Sequence, residues 1–258
     1  MYLLEINKIY NEDCIGKNGM QLIDDNSIDM IFCDLPYGTT ACKWDAVIPF
    51  DKLWEQYKRI IKSNGIIALT ASQPFTSALV MSNPKMYKHE WIWSKNKGSN
   101  FLNVKREPMK QHESILIFSN GKWTYNQQKI ERIDKERTKY AYKDTTQRDF
   151  IGNIKNRISY TEDHELRCPK SVLDINVERG LHPTQKPVEL CEYFIKTYTN
   201  EGDLVLDNCV GSGTTAIACI NLNRNYIGFD NGKDNKTGKY WVDLANERID
   251  EHRNKLAI

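Results

Sequence analysis

Leu204-Val205-Leu206-Asp207-Asn208-Cys209-Val210-Gly211-Ser212-Gly213-Thr214-Thr215 is the stretch on which the fold class turns. A short apolar run suited to a buried strand enters a turn with glycines at 211 and 213, and residues 212–223 read as the helix that follows. Without a Cβ, glycine lets the backbone approach a ligand closely. Residues 226–229 form the next strand-like run and deliver Asp230 and Asn231 to its end. A carboxylate at that place can accept hydrogen bonds from ribose hydroxyls, as in nucleotide-binding α/β folds.

Outward from this unit the same alternation continues. Residues 8–11, 28–33, 66–70, 90–93 and 114–118 read as further strands. Residues 51–62 read as a helix, because Leu53, Trp54, Tyr57, Ile60 and Ile61 share one face. Another helix is expected from Pro187, with Cys191, Phe194, Ile195 and Tyr198 as its apolar stripe, and a last one over residues 240–253. The pattern predicts an α/β protein with a mostly parallel sheet and helices on both faces. Between residues 120 and 181 it fades. Residues 120–160 hold ten Lys/Arg against five Asp/Glu, interleaved with Trp123, Tyr125, Tyr140 and Tyr142. Such a mixture suits phosphate contacts combined with base-edge contacts, and equally an ordinary solvated surface.

The chain has 258 residues, a formal charge of +2 and 27% charged residues, enough length for one large domain. Nothing approaches 18 consecutive apolar residues, and the N-terminus lacks a secretory pattern, so no membrane association is expected. Seven scattered cysteines without a C-x-x-C pair predict reduced thiols and no metal site, hence the cytoplasm.

A second run, Met30-Ile31-Phe32-Cys33, ends in Asp34-Leu35-Pro36-Tyr37-Gly38. The carboxyl ends of strands in open α/β sheets are where ligands bind. An exocyclic amino nitrogen on a base is a poor nucleophile, since its lone pair is delocalised into the ring. Two acceptors holding its protons favour the pyramidal form. Asp34 supplies one through its carboxylate and Leu35 the other through its carbonyl, which Pro36 helps to fix. Tyr37 is placed to stack on the base.

Asp34-Leu35-Pro36-Tyr37 resembles the D/N/S-P-P-Y motif of amino-directed DNA methyltransferases, with leucine for the usual first proline. The loop at 207–215 resembles that family's D-P-F-x-G-S-G-T-T cofactor motif, with Asn208 and Cys209 in place of Pro and Phe. His182-Pro183-Thr184-Gln185-Lys186-Pro187 resembles its H-x-T-Q-K-P segment, and Tyr10-Asn11-Glu12-Asp13-Cys14 matches the stretch upstream of the catalytic strand. His112-Glu113 also resembles the family, in a supporting role. Their order along the chain is that of the circularly permuted β group.

The resemblance implies a Rossmann-like S-adenosylmethionine-dependent methyltransferase fold. Residues 1–119 would be the catalytic half, 120–181 an inserted target-recognition region and 182–258 the cofactor-binding half. Asp34, Leu35, Pro36 and Tyr37 are the implied catalytic residues. The implied contacts to S-adenosylmethionine are Asp13, Cys14, His182, Thr184, Gln185, Lys186, Asp207, Cys209, Gly211, Ser212, Gly213, Thr214, Asp230 and Asn231. The absent third glycine of the dinucleotide fingerprint fits a cofactor without a pyrophosphate. Lys95, Lys97, Lys105 and Arg106 are candidates for phosphate contacts.

The expected activity is site-specific methylation of adenine N6 in double-stranded DNA by base flipping and in-line transfer, in a bacterial or phage-encoded enzyme. Cytosine N4, an RNA or a protein amide, and a non-catalytic nucleic-acid-binding module of the same fold stay open. Cytosine C5 chemistry would need a nucleophilic cysteine preceded by proline, and Cys168-Pro169 has the reverse order. The recognition sequence, a homodimer and a cognate restriction endonuclease are not readable from these residues.

Overall fold

The computed structural model describes residues 4–39, 45–131, 166–178, 185–234 and 237–256. The chain forms two compact units, residues 1–126 with 171–258, and residues 127–170.

The larger unit is built on one eight-stranded sheet. Its strands are β1 (Lys8–Tyr10), β2 (Ile28–Cys33), β3 (Ile61–Ala71), β4 (Tyr87–Ser99), β5 (Lys110–Phe118), β8 (Val172–Asp174), β9 (Leu204–Asp207) and β10 (Asn225–Phe229), in the order β1-β10-β9-β2-β3-β5-β4-β8. β1, β10, β9, β2 and β3 run parallel, and only β5 is antiparallel to its neighbours. In the smaller unit β6 (Ile130–Glu131) pairs antiparallel with β7 (Leu166–Arg167).

Both faces of the central strands are apolar, so both must be covered. Met30 and Phe32 of β2 share a cluster with α3 (Val188–Tyr198), α4 (Thr214–Asn221) and α5 (Trp241–Leu256). Ile31 and Cys33 point the other way, against α1 (Phe50–Ile60) and α2 (Phe75–Ser82). The period of two along the strand divides the core between the layers. On α1, Leu53, Trp54, Tyr57 and Ile60 are the buried residues, four of the five on the stripe the sequence predicts, the fifth, Ile61, being the first residue of β3.

Three boundaries differ from the sequence reading. α1 stops at Ile60, because Ile61 already pairs with Ile28. β4 and β5 run well past residues 90–93 and 114–118 as a ribbon joined by a turn at 100–109. The main unit also claims both ends of the 120–181 stretch. Trp123 packs against the α3 cluster, and β8 extends the sheet beside β4. No helix among the described residues is long and apolar enough to cross a membrane.

Candidate active site

β2 and β9 lie side by side in the sheet, and their ends open into one cavity of about 400 Å³. That volume is within the usual range for small-molecule sites, roughly 300–1,000 Å³. Asp34, Leu35, Pro36 and Tyr37 line it from the end of β2. Asp207, Cys209, Gly211, Ser212 and Thr214 line it from the turn after β9, and Asp230 and Asn231 from the end of β10. Asp13 and Cys14 enter from the segment after β1, and Gln185 and Lys186 from the approach to α3. The sequence motifs therefore meet in one place although they span more than two hundred residues. His182 and Thr184 lie outside the described residues, as do Tyr140 and Tyr142 of the basic stretch.

Asp34 accepts three hydrogen bonds. Tyr37 and Thr70 donate their hydroxyls to Oδ1, the former at 2.8 Å, and Lys186 donates Nζ to Oδ2 at 2.6 Å. A carboxylate offers about four lone-pair positions, so this pattern leaves one on Oδ2. Thr70 arrives by register: Cys33 pairs with Leu69, so the next residue of each parallel strand falls together. Tyr37 stacks on Phe75 with ring centroids 5.2 Å apart. Burial foremost, with the Asp34 charge second, keeps its phenol far above the ordinary value and therefore protonated.

Lys186 is the centre of a charge row. Its Nζ also lies 3.3 Å from Oε2 of Glu113, whose other oxygen takes Lys95. Burial works against the Lys186 charge, but the Asp34 and Glu113 carboxylates outweigh it and raise its pKa. Glu113 shows the opposite balance: burial raises its pKa, and Lys186 and Lys95 together bring it below the ordinary value. The sequence reading assigns Lys186 to the cofactor; in the structure it lines the cavity and its Nζ pairs with Asp34. Lys95 is correspondingly turned inward with a side chain 14% exposed, whereas Lys97, Lys105 and Arg106 are exposed.

On the opposite side, Asp230 accepts Gly211 N–H on Oδ2 and Gly232 N–H on Oδ1, each at 2.8 Å. Each oxygen keeps a lone pair for a ligand hydroxyl. Asp13 likewise accepts Ile15 N–H on Oδ1 at 3.1 Å. Gly211 and Gly213 have φ of 53° and 80°, the left-handed region that glycine tolerates best. Gly213 does not line the cavity. It precedes α4, and a Cβ there would sit 3.1 Å from that of Ala245 on α5, so close packing is its requirement.

Asn208 and Cys209, the departures from the family motif, have a local explanation. Asn208 is buried, accepts the Tyr57 hydroxyl at 2.5 Å and donates to the sulfurs of Cys14 and Cys209 at 3.6 Å. The apolar wall expected from Pro-Phe is rebuilt from an amide and two thiols. Sequence reasoning missed Thr70, Asp45, whose carboxylate accepts Gly38 and Thr39 N–H at 2.8 and 2.9 Å, and Arg248, which donates to Ser212 O and Thr214 Oγ1. No motif marks them; Thr70 was findable only from the register of β2 with β3.

The family model described as "DNA methylase" matches residues 28–247. The Type II methyltransferase M.HpaI of Haemophilus parainfluenzae is 30% identical over 247 residues, covering 90% of this chain and 71% of that protein. The solved M1.HpyAVI–SAM complex superposes with a TM-score of 0.62 at 24% identity, over 93% of this chain and 98% of that one. The PvuII DNA methyltransferase (cytosine-N4-specific) gives 0.63 at 14% identity, over 96% and 91%. At these identities the two structures speak for the Rossmann-like fold alone. A family match over most of the chain, on this fold and with both motif sets in one cavity, makes the protein a member of the S-adenosylmethionine-dependent N6/N4 family of DNA methylases.

Proposed function

We propose that the chain methylates N6 of adenine in duplex DNA, with Asp34 and the Leu35 carbonyl as the two acceptors of the amino protons. The observation that carries this reading is the single lone pair left on Asp34 Oδ2, inside a cavity that also holds the glycine turn. Tyr37, Thr70 and Lys186 hold the carboxylate in one orientation, so it meets the incoming amino group without reorganising. The cavity residues fit S-adenosylmethionine: Asp230 retains acceptor capacity for ribose hydroxyls, and the turn at Gly211 admits close backbone approach. When bound, that molecule supplies an electrophilic methyl group. The chain then contributes alignment and local electrostatics, with no nucleophile of its own.

A paired base cannot reach such a cavity, so it must leave the stack at a cost of a few kcal/mol. Aspartate at position 34 favours adenine; serine is more usual in enzymes acting on cytosine N4. The basic insertion is the element we assign to target recognition. Asp34→Ala should lower methyl transfer by about a thousandfold while S-adenosylmethionine affinity stays within about threefold. Single-turnover methylation alongside equilibrium cofactor binding measures both. Undiminished transfer in that variant would falsify the mechanism.

A further inference from the structure

β4 and β5 outlast the sheet that carries them. β5 last pairs with β3 at Ser114, and β4 last pairs with β8 at Ser94. Beyond those points the two strands pair with each other again at Ser99 and Lys110, and Asn96 of β4 also accepts Val177 N–H at 3.0 Å. The root of this ribbon is Glu113, which shares Lys186 with Asp34. On β5, Lys110 lies two residues beyond His112, the partner of Ser94, so the ribbon runs only about 7 Å past that pair, and the three additional residues of β4 between Ser94 and Ser99 are taken up in a bulge.

The tip is apolar and exposed. Phe101 and Leu102 are 67% and 82% accessible, and Val104 and Met109 are also exposed. It is nevertheless held together. Asn100 takes a left-handed φ of 67° and donates to Glu107 at 2.5 Å, and Asn103 donates to Asn100 Oδ1 at 2.9 Å. The N–H groups of Arg106 and Glu107 close on Asn103 O at 2.8 and 3.0 Å. Residues 95–110 contain five Lys/Arg and one acid, Glu107.

An ordered apolar tip surrounded by cations matches a partner that is anionic outside and apolar inside, which describes a stacked duplex. A second copy of this chain fits worse, because two tips would meet with like charge. We propose that Phe101 and Leu102 enter the duplex as a wedge, filling the space left by the base drawn toward Asp34, while Lys97, Lys105 and Arg106 hold the flanking phosphates. Apolar side chains inserted between base steps unstack them, and the wider protein surface that the kinked duplex then covers offsets that cost. This inference rests on the DNA-methylating reading above and adds the device that opens the duplex.

The test uses the full chain and two duplexes that share the target sequence, mapped first on methylated plasmid. One is intact, and the other carries an abasic site opposite the target base. The double variant Phe101→Ala/Leu102→Ala should be about tenfold slower than wild type on the intact duplex and within about twofold on the abasic one, where unpairing is already done. Melting temperature and S-adenosylmethionine affinity should not move. Equal rates of variant and wild type on the intact duplex would overturn the wedge. Equal loss on both duplexes would overturn it too, assigning the tip to general binding. Loss accompanied by a dimer-to-monomer change in sedimentation would overturn it in favour of a second copy. Failure of the wild type on every DNA would instead remove the reading beneath it.

Discussion

At Asp34 the number of donors matters as much as the charge. Three are in place, one acceptor position remains, and the cation that supplies the third, Lys186, is 9% exposed. Replacing that lysine leaves Asp34 without a cation and Glu113 with Lys95 alone. Lys186→Met should therefore cost about 3 kcal/mol in urea unfolding, as expected when one partner of a buried ion pair is removed. An unchanged midpoint would mean that water already screens the row. Asp207 offers a pH test. Burial pushes its carboxyl up to about 6, against hydrogen bonds from Thr215 and Cys209 that lower it. Below about pH 4 both folded and unfolded chains hold the proton, whereas between 4 and 6 only the folded chain does, so this group's contribution falls as pH rises. Asp207→Asn should relieve up to about 3 kcal/mol at pH 7 and about 1 kcal/mol at pH 4.5, compared by thermal unfolding at both values. A difference independent of pH would contradict the assigned shift.

Among the elements, the turn between β9 and α4 shows how far a sequence can be read. Gly211, Ser212 and Thr214 line the cavity as their motif implies, but Gly213 acts through its fit against Ala245, a contact 32 positions away that no local pattern records. Gly213→Ala combines a left-handed φ with that close approach, so a loss of about 1–2 kcal/mol is expected, read from the denaturation midpoint. α2 escaped the sequence reading because eight residues, with Thr76, Ser77 and Ser82 among them, are too few to show a period. The β4–β5 ribbon escaped because its outer half is polar and faces no core. Lys105 and Arg106 were legible as basic residues, and Lys95 was indistinguishable from them until its partner Glu113 was placed. Removing Lys97, Lys105 and Arg106 together should reduce the slope of log affinity for DNA against log salt by about 2 to 3, with little dependence on DNA sequence. An unchanged slope would take the ribbon off the phosphates.

For the whole molecule, the mostly parallel sheet and the gathering of the motifs into one crevice were legible, because each motif sat at a strand end and open α/β sheets bring such ends together, whereas the strand order was not. β2 precedes β9 by more than 170 residues yet lies beside it, and Lys186 reaches Asp34 across 152 positions. The charge row could not be read, since nothing in the sequence says which of 36 basic residues turns inward. The methylated atom is the central point of the proposed function, and one measurement addresses it directly. The purified chain is incubated with methyl-labelled S-adenosylmethionine and mixed-sequence duplex DNA, and the DNA is digested to nucleosides. Label in N6-methyladenine is the predicted result. Label in N4-methylcytosine would overturn the choice of base while leaving Asp34 its role, and label on a ring carbon would contradict amino-directed transfer altogether.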